Sequence, residues 1–224
     1  MKVLILDSGP IINFSMNGLL YLFEKIKKEL GVKILITPQV KEEVVNNPLK
    51  VKRFEFEALQ IQSLIEKGIL ELPASIDVSD KVLEEETNAI LDKANHFLQA
   101  KGKWIKIVSP GEMSCLALSD ECTRKGIANI IGVDERTTRL LAEKPENLEQ
   151  LMSERLHQRV QLVAPDYKIF SKYKFVRSSE LVFVAYKKNL MNVAGNKILE
   201  AALYATKFKG AAISFEEIDE MKKL

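Results

Sequence analysis

Residues 1–12 read Met-Lys-Val-Leu-Ile-Leu-Asp-Ser-Gly-Pro-Ile-Ile. The run Lys2–Leu6 is apolar at successive positions and ends on an acid, Asp7. Such a run predicts a short strand buried on both faces, as in a parallel sheet. Proline suits the first turn of a helix, so a helix is expected from Pro10 to about Leu30, with Gly9 and Gly18 as weak points. Val32–Ile36 repeats the apolar strand pattern. Thr37-Pro38 opens the next helix, which carries Lys41–Val45 and breaks at Asn46-Asn47-Pro48.

The alternation continues downstream. A helix over about 53–66 stops at Lys67-Gly68, and Ile69–Leu72 reads as a third strand. Ser79–Lys101 reads as an amphipathic helical region with Glu84-Glu85-Glu86 on its solvated face. Trp104–Val108 reads as a short extended piece. Ser109-Pro110-Gly111-Glu112 opens a helix to about Arg124, ended by Gly126. Asn129–Val133 is the next strand and Glu135–Glu143 the next helix. Strands alternating with helices predict an α/β fold, a three-layer α/β/α arrangement with a central, mainly parallel sheet.

Beyond Glu143 the pattern is less regular. Residues 144–160 read as an inserted polar helix. Residues 161–190 mix strand-like pieces, Val160–Ala164 and Glu180–Tyr186, with Tyr167, Phe170, Tyr173, Phe175 and several lysines. Residues 196–207 form an apolar-faced helix, and Ser214 caps a last one. One domain over 1–224 is expected, its core spanning 1–143 and about 196–218, with an elaboration over about 144–195.

Hydrophobic residues make up 46% of the chain, enough for a real core. No apolar run approaches the roughly 18–20 residues that span a bilayer. The N-terminal run meets Asp7 too soon for a signal peptide. A cytoplasmic protein without membrane contact is expected. Cys115 and Cys122, seven apart on one helix, are about 10 Å apart along its axis, too far for a disulfide. With no Cys-x-x-Cys, and with His96 and His157 distant in sequence, neither zinc nor a Cys–His nucleophile is expected. Buried, inert thiols are. Residues 1–150 hold 20 Lys+Arg against 23 Asp+Glu, and residues 151–224 hold 13 against 8. An acidic part followed by a basic one suits metal binding in the first and polyanion binding in the second.

Four acids stand out by position. Asp7 ends the first strand and equally suits an N-cap. Glu43 lies one turn into the helix after the second strand, where a negative charge is also favoured by the helix dipole. It is preferred to Glu42 because Val40, Val44 and Val45 mark the buried side nearby. Glu112 completes a capping box with Ser109, a role compatible with ligation. Asp134 ends the strand Asn129–Val133 and also suits an N-cap. Each acid has a structural explanation alone. Together they share an address beyond the carboxyl ends of strands, where sites form in such sheets. Four carboxylates held together repel one another and ionise comfortably only around a cation. Carboxylates with retained waters suit Mg²⁺ or Mn²⁺.

The motifs around these acids resemble those of the PIN-domain ribonucleases, in the branch with glutamate as third acid (VapC-like, PilT N-terminus-like). They are Leu4–Ile12, Ile36–Val44, Gly111–Leu118 and Val133–Arg139, with Leu203–Gly210 and Ile213-Ser214 resembling that branch's closing helix. The chain is longer than the compact toxin members, and residues 144–195 have no counterpart. The resemblance implies a central parallel sheet between helices and Mg²⁺- or Mn²⁺-dependent hydrolysis of RNA phosphodiesters. Asp7, Glu112 and Asp134 would then hold the metal, and Glu43 would bind it or orient water. Ser8 and Thr137 would position water or phosphate. Arg136 and Arg139 would touch phosphate or form a salt bridge on their own helix. The implied partner is RNA, single-stranded or structured; a homodimer, a protein inhibitor and an RNA-processing partner stay open.

Other readings remain beside this one. The basic, aromatic stretch 167–188 either tracks a single strand by charge and stacking or supplies core rings and solvated lysines. The fold could serve as a weakly active or inactive RNA- or protein-binding module. An Asp-x-Asp phosphatase is disfavoured because Gly9 stands where the second aspartate belongs. The phosphate loop of nucleoside triphosphatases is absent.

Overall fold

The computed structural model describes residues 1–163 and 167–224. In chain order its strands are β1 (Lys2–Leu6), β2 (Val32–Leu35), β3 (Leu70–Glu71), β4 (Leu98–Ala100), β5 (Lys103–Trp104), β6 (Ala128–Gly132), β7 (Gln161–Leu162) and β8 (Phe175–Val176). Its α-helices are α1 (Ser8–Met16), α2 (Tyr21–Leu30), α3 (Pro38–Lys41), α4 (Glu55–Glu66), α5 (Asp80–Asn95), α6 (Pro110–Arg124), α7 (Arg136–Glu143), α8 (Asn147–Leu156), α9 (Ser178–Lys187), α10 (Ile198–Phe208) and α11 (Phe215–Lys223).

Five strands pair in parallel in the order β3-β2-β1-β6-β8, and helices flank the sheet to give a three-layer α/β/α fold. β1 is central, and Val3–Leu6 are all buried. That is why this strand is apolar at every position rather than at alternate ones. In register, Leu6 faces Gly132 of β6. A Cβ on Gly132 would come within 2.7 Å of Leu6 Cδ2, so glycine lets the two strand ends close. The Asp7 amide then donates to the Gly132 carbonyl at 2.9 Å. This fixes the first acid at the carboxyl end of the sheet.

Three expectations are corrected. The helical stretch from Pro10 to Leu30 is two helices, beginning already at Ser8 and interrupted where Gly18 takes a φ of 66°. The region Ser79–Lys101 is helical only to Asn95. Leu98–Ala100 turns through Lys101 and Gly102, both at positive φ, to pair with β5, and β7 joins on its other side. Two successive left-handed residues make the tight turn that antiparallel neighbours need. Glu180–Tyr186 is helix, not strand. Glu180 accepts from the Arg177 amide, and Leu181, Val182 and Ala185 are buried at helical spacing. Of the strand-like piece Val160–Ala164, Gln161–Leu162 is strand and Ala164 lies outside the described residues.

The segment 144–195 feeds the central sheet directly, because β8 pairs with β6 and α9 packs on α10. Its aromatics are largely interior. Phe170 and Tyr173 are buried, Phe170 meets Phe97 edge-on with ring centroids 5.3 Å apart, and the Tyr173 hydroxyl donates to Asp120 at 2.9 Å. The closing helix is tied to the opening one by Asn13, wholly buried, whose amide donates to the Thr206 carbonyl at 2.8 Å. Among the described residues no helix is long and apolar enough to cross a membrane.

Candidate active site

Asp7 leaves β1 at the N-cap position of α1, with extended backbone, yet its side chain makes no capping hydrogen bond. It is only 4% exposed, and Oδ1 is buried with no partner. Burial, then the charge of Glu112 and that of Glu43, push its carboxyl up to about 7; the Ser8 and Gly9 amides offset only part of this. A buried carboxylate oxygen without a partner is costly for a purely structural residue. Asp7 holds the N-cap position of α1, but a cap leaves its buried Oδ1 unexplained.

Glu43 reaches the same space by an unusual route. Thr37 caps α3 by accepting from the Val40 amide at 3.1 Å, and the helix then widens into a π-helical turn over Glu42–Asn46. Such a turn carries one extra residue, shifting which side chains face inward. Val44 and Val45 are buried, Glu42 is taken up by Asn46, and the Glu43 carboxylate lies over Gly111. Glu43 contributes to the upward shift of both Asp7 and Glu112. Of the two neighbouring glutamates, Glu43 is the one electrostatically joined to the other acids.

Glu112 is the third residue of α6 and a true capping-box member. Its Oε2 accepts from the Ser109 amide at 2.6 Å and from the Ser109 hydroxyl at 2.9 Å. Both bonds use one oxygen, leaving Oε1 for other work. Burial raises its carboxyl above the ordinary glutamate value, with Glu135 and Glu43 adding to the shift and Ser109 opposing it. Beneath it Thr37 and Ser114 share a 2.6 Å hydroxyl contact that joins the helix bearing Glu43 to α6.

Asp134 stands two residues past β6 and is 4% exposed. The cap of α7 is Glu135, which accepts from the Thr138 amide at 2.8 Å and the Thr137 hydroxyl at 2.9 Å. Asp134 is therefore not spent on the helix. Its carboxylate is gripped by Ser178, through the amide at 2.8 Å and the hydroxyl at 2.5 Å. Burial raises its carboxyl, with Ser178 and the Arg139 and Arg177 charges opposing. Asp134 and Asp7 both lie within 4 Å of where a Cβ on Gly9 would stand.

Asp7, Glu43 and Glu112 thus form one electrostatically coupled set, and Asp134 lies next to Asp7 across Gly9. Glu135 extends the acidic region. Among the described residues no three acidic, histidine or cysteine side chains are already gathered into a cation-holding group. The donor set nevertheless fits a hard divalent ion: oxygen donors only, one buried oxygen unpartnered, and Glu112 Oε1 left outside the cap. Thr137 is buried and its hydroxyl donates to Glu135, the acid next to Asp134. Ser8 is partly buried beside Asp7. Arg139 pairs with Glu143 on its own helix at 3.1 Å, whereas Arg136 is exposed. Cys115 and Cys122 are free and buried, their thiols pushed up chiefly by burial, Cys122 to about 11.

Ser178 and Gly111 carry no local signal of a role. A Cβ on Gly111 would stand 2.4 Å from Glu43 Oε1. The clash is with the far end of a flexible side chain, so Gly111→Ala should fold normally while displacing the Glu43 carboxylate. Its melting temperature should match wild type within about 2 °C, less than about 1 kcal/mol for a chain of this size. Metal-dependent turnover should fall to the level of Glu43→Gln, with kcat rather than KM affected. A wild-type kcat in Gly111→Ala would show that Glu43 has no role there.

The chain matches no family model, no curated protein and no solved structure.

Proposed function

We propose that this chain is a PIN-like endoribonuclease that hydrolyses RNA phosphodiesters with Mg²⁺ or Mn²⁺ held by Asp7, Glu112 and Asp134. The state of Asp7 carries the proposal: a buried carboxylate, unpartnered at Oδ1 and crowded by two other acids. A cation is what relieves such a group. The resemblance of the four motifs to PIN-domain ribonucleases supplies RNA as substrate, and a cytoplasmic location belongs to the same proposal.

Each side chain has a distinct task in this reading. Asp7 and Asp134 are rigid, one fixed by the strand ladder and the other by Ser178. Glu112 offers Oε1 while Oε2 stays on the cap. Glu43, the most exposed of the four, orients the attacking water and accepts its proton. A divalent ion bound there would ease deprotonation of water and offset charge on the phosphoryl oxygens.

The alternative is a fold that binds RNA or a protein with little catalysis, and a cationic cavity beside α7 speaks for it. One experiment separates the two. Purified chain is incubated with labelled single-stranded RNA in Mn²⁺ or in EDTA, beside the Asp7→Asn/Glu112→Gln double variant. Cleavage by wild type in Mn²⁺ alone, lost in the variant, is expected. Equal cleavage by the variant would refute the site. RNA retained but uncut by both would establish the binding module.

A further inference from the structure

A cavity of about 690 Å³ opens between α7, the end of α10 and the start of α11. Five cations line it, Arg136, Arg139, Lys144, Arg177 and Lys207, against two carboxylates. Arg139 is spent on Glu143, and Arg177 on Glu180 and Glu217. Arg136 and Lys144 are exposed and form no ion pair with any described residue. Excess positive charge in a concave wall attracts polyanions.

Beside these cations stands an aromatic surface. Tyr204 and Phe208, one turn apart on α10, stack with ring planes 23° apart and centroids 6.2 Å apart. Phe215, at the start of α11, lies 5.9 Å from Tyr204 and 6.5 Å from Phe208. Phe208 is 72% exposed and Phe215 48%. The Lys207 ammonium stands 4.2 Å from the Phe215 ring centre. Exposed rings interleaved with cations suit a chain of alternating planar bases and phosphates better than an apolar protein face. The cavity wall also touches the backbone of one acid: Arg136 follows Asp134 by two residues, and the Ala212 amide in the wall donates to the Asp134 carbonyl at 3.3 Å.

We propose that this cavity and its aromatic rim bind a single-stranded nucleic acid, with Arg136 and Lys144 on phosphates and Phe208 and Phe215 stacked on bases. The strand leaves the acids over the start of α7 and runs toward the rings. Its identification as RNA rests on the proposed nuclease function; its single-strandedness does not, since only unstacked bases can reach the rings.

The test measures fluorescence anisotropy of a labelled 12-nucleotide RNA of mixed sequence with the full chain in EDTA, where nothing is cut. Phe208→Ala/Phe215→Ala should weaken binding about 10-fold or more, the effect of losing a stacking platform, with an unchanged salt slope. Arg136→Gln/Lys144→Gln should weaken binding and lower the slope of log K on log salt by about 1.4, about 0.7 for each phosphate released. Melting curves establish that both variants fold. Blunt duplex RNA should bind more weakly and ignore the phenylalanine changes. Wild-type affinity in both variants, or no RNA binding by wild type, overturns the proposal. So does a wild-type dimer that the phenylalanine variant abolishes at unchanged RNA affinity, which makes the face a contact between copies. Binding through the rings without cleavage in Mn²⁺ refutes the nuclease and keeps the platform; cleavage with ring-independent binding does the reverse.

Discussion

Asp7→Asn is expected to reduce Mn²⁺-dependent RNA cleavage by at least about 100-fold, beyond the roughly 10–100-fold typical of losing an outer partner of a metal ligand. The same change should stabilise the metal-free protein above neutral pH. The folded-state carboxyl is raised from 3.8 to about 7, so folding favours its protonated form. Its contribution is intact below about pH 4, declines as the unfolded chain ionises, and is fully lost above about pH 7. Asparagine carries no charge there, though its amide must still find partners. Against wild type in EDTA, Asp7→Asn should melt about 5 °C higher at pH 8 and show little difference at pH 4. Mn²⁺ should raise the melting temperature of wild type but not of the variant. A variant less stable than wild type at pH 8, and equally responsive to Mn²⁺, would mean that Asp7 is an ordinary buried structural acid.

Ser178→Ala carries the second large effect. Its hydroxyl makes one of two hydrogen bonds that hold Asp134 in a 4%-exposed position. Removing it leaves Asp134 Oδ2 unpaired at a cost of about 1–3 kcal/mol. It also frees the carboxylate to rotate, so Mn²⁺ affinity should fall about 10–100-fold. Ser178 bonding lowers the Asp134 carboxyl, and without it the acidic limb of the activity profile should move to higher pH. Ser178→Thr, which keeps a hydroxyl, should restore much of both. A calorimetric Mn²⁺ titration reads affinity, and a pH–rate profile separates Asp134 positioning from simple destabilisation. Unaltered affinity and profile in Ser178→Ala would show that Asp134 needs no such support.

Where chemistry and local pattern coincide, the elements that carry the candidate site were legible from the chain. The uninterrupted apolar run Val3–Leu6 read as an interior strand, and it placed Asp7 at the sheet's carboxyl end. Ser109-Pro110-Gly111-Glu112 announced the start of α6, and the valines around Glu43 pointed to the glutamate that lies over Gly111. The C-terminal part was harder because its determinants are distant. Glu180–Tyr186 is an apolar, valine- and aromatic-rich run that reads like a strand, yet the capping glutamate and the burial of Leu181, Val182 and Ala185 belong to a helix. Nothing near Asp134 reveals that Ser178 grips it, and nothing near Gly111 reveals that Glu43 fills the space of its missing side chain. The aromatic stretch 167–188 had a binding composition but gave its described rings largely to the interior. The exposed platform comes instead from Tyr204, Phe208 and Phe215, brought together only by the turn between α10 and α11.

The grip of Ser178 on Asp134 spans 44 residues, and it follows β8, the last strand to join the sheet. In the order of synthesis all four acids precede this serine. Before it is made, β6 is an unpaired edge on that side and Asp134 has neither of its two Ser178 hydrogen bonds. The acids are complete as a list well before they are complete as a structure. Until Ser178 and β8 are in place, Asp134 lacks that brace.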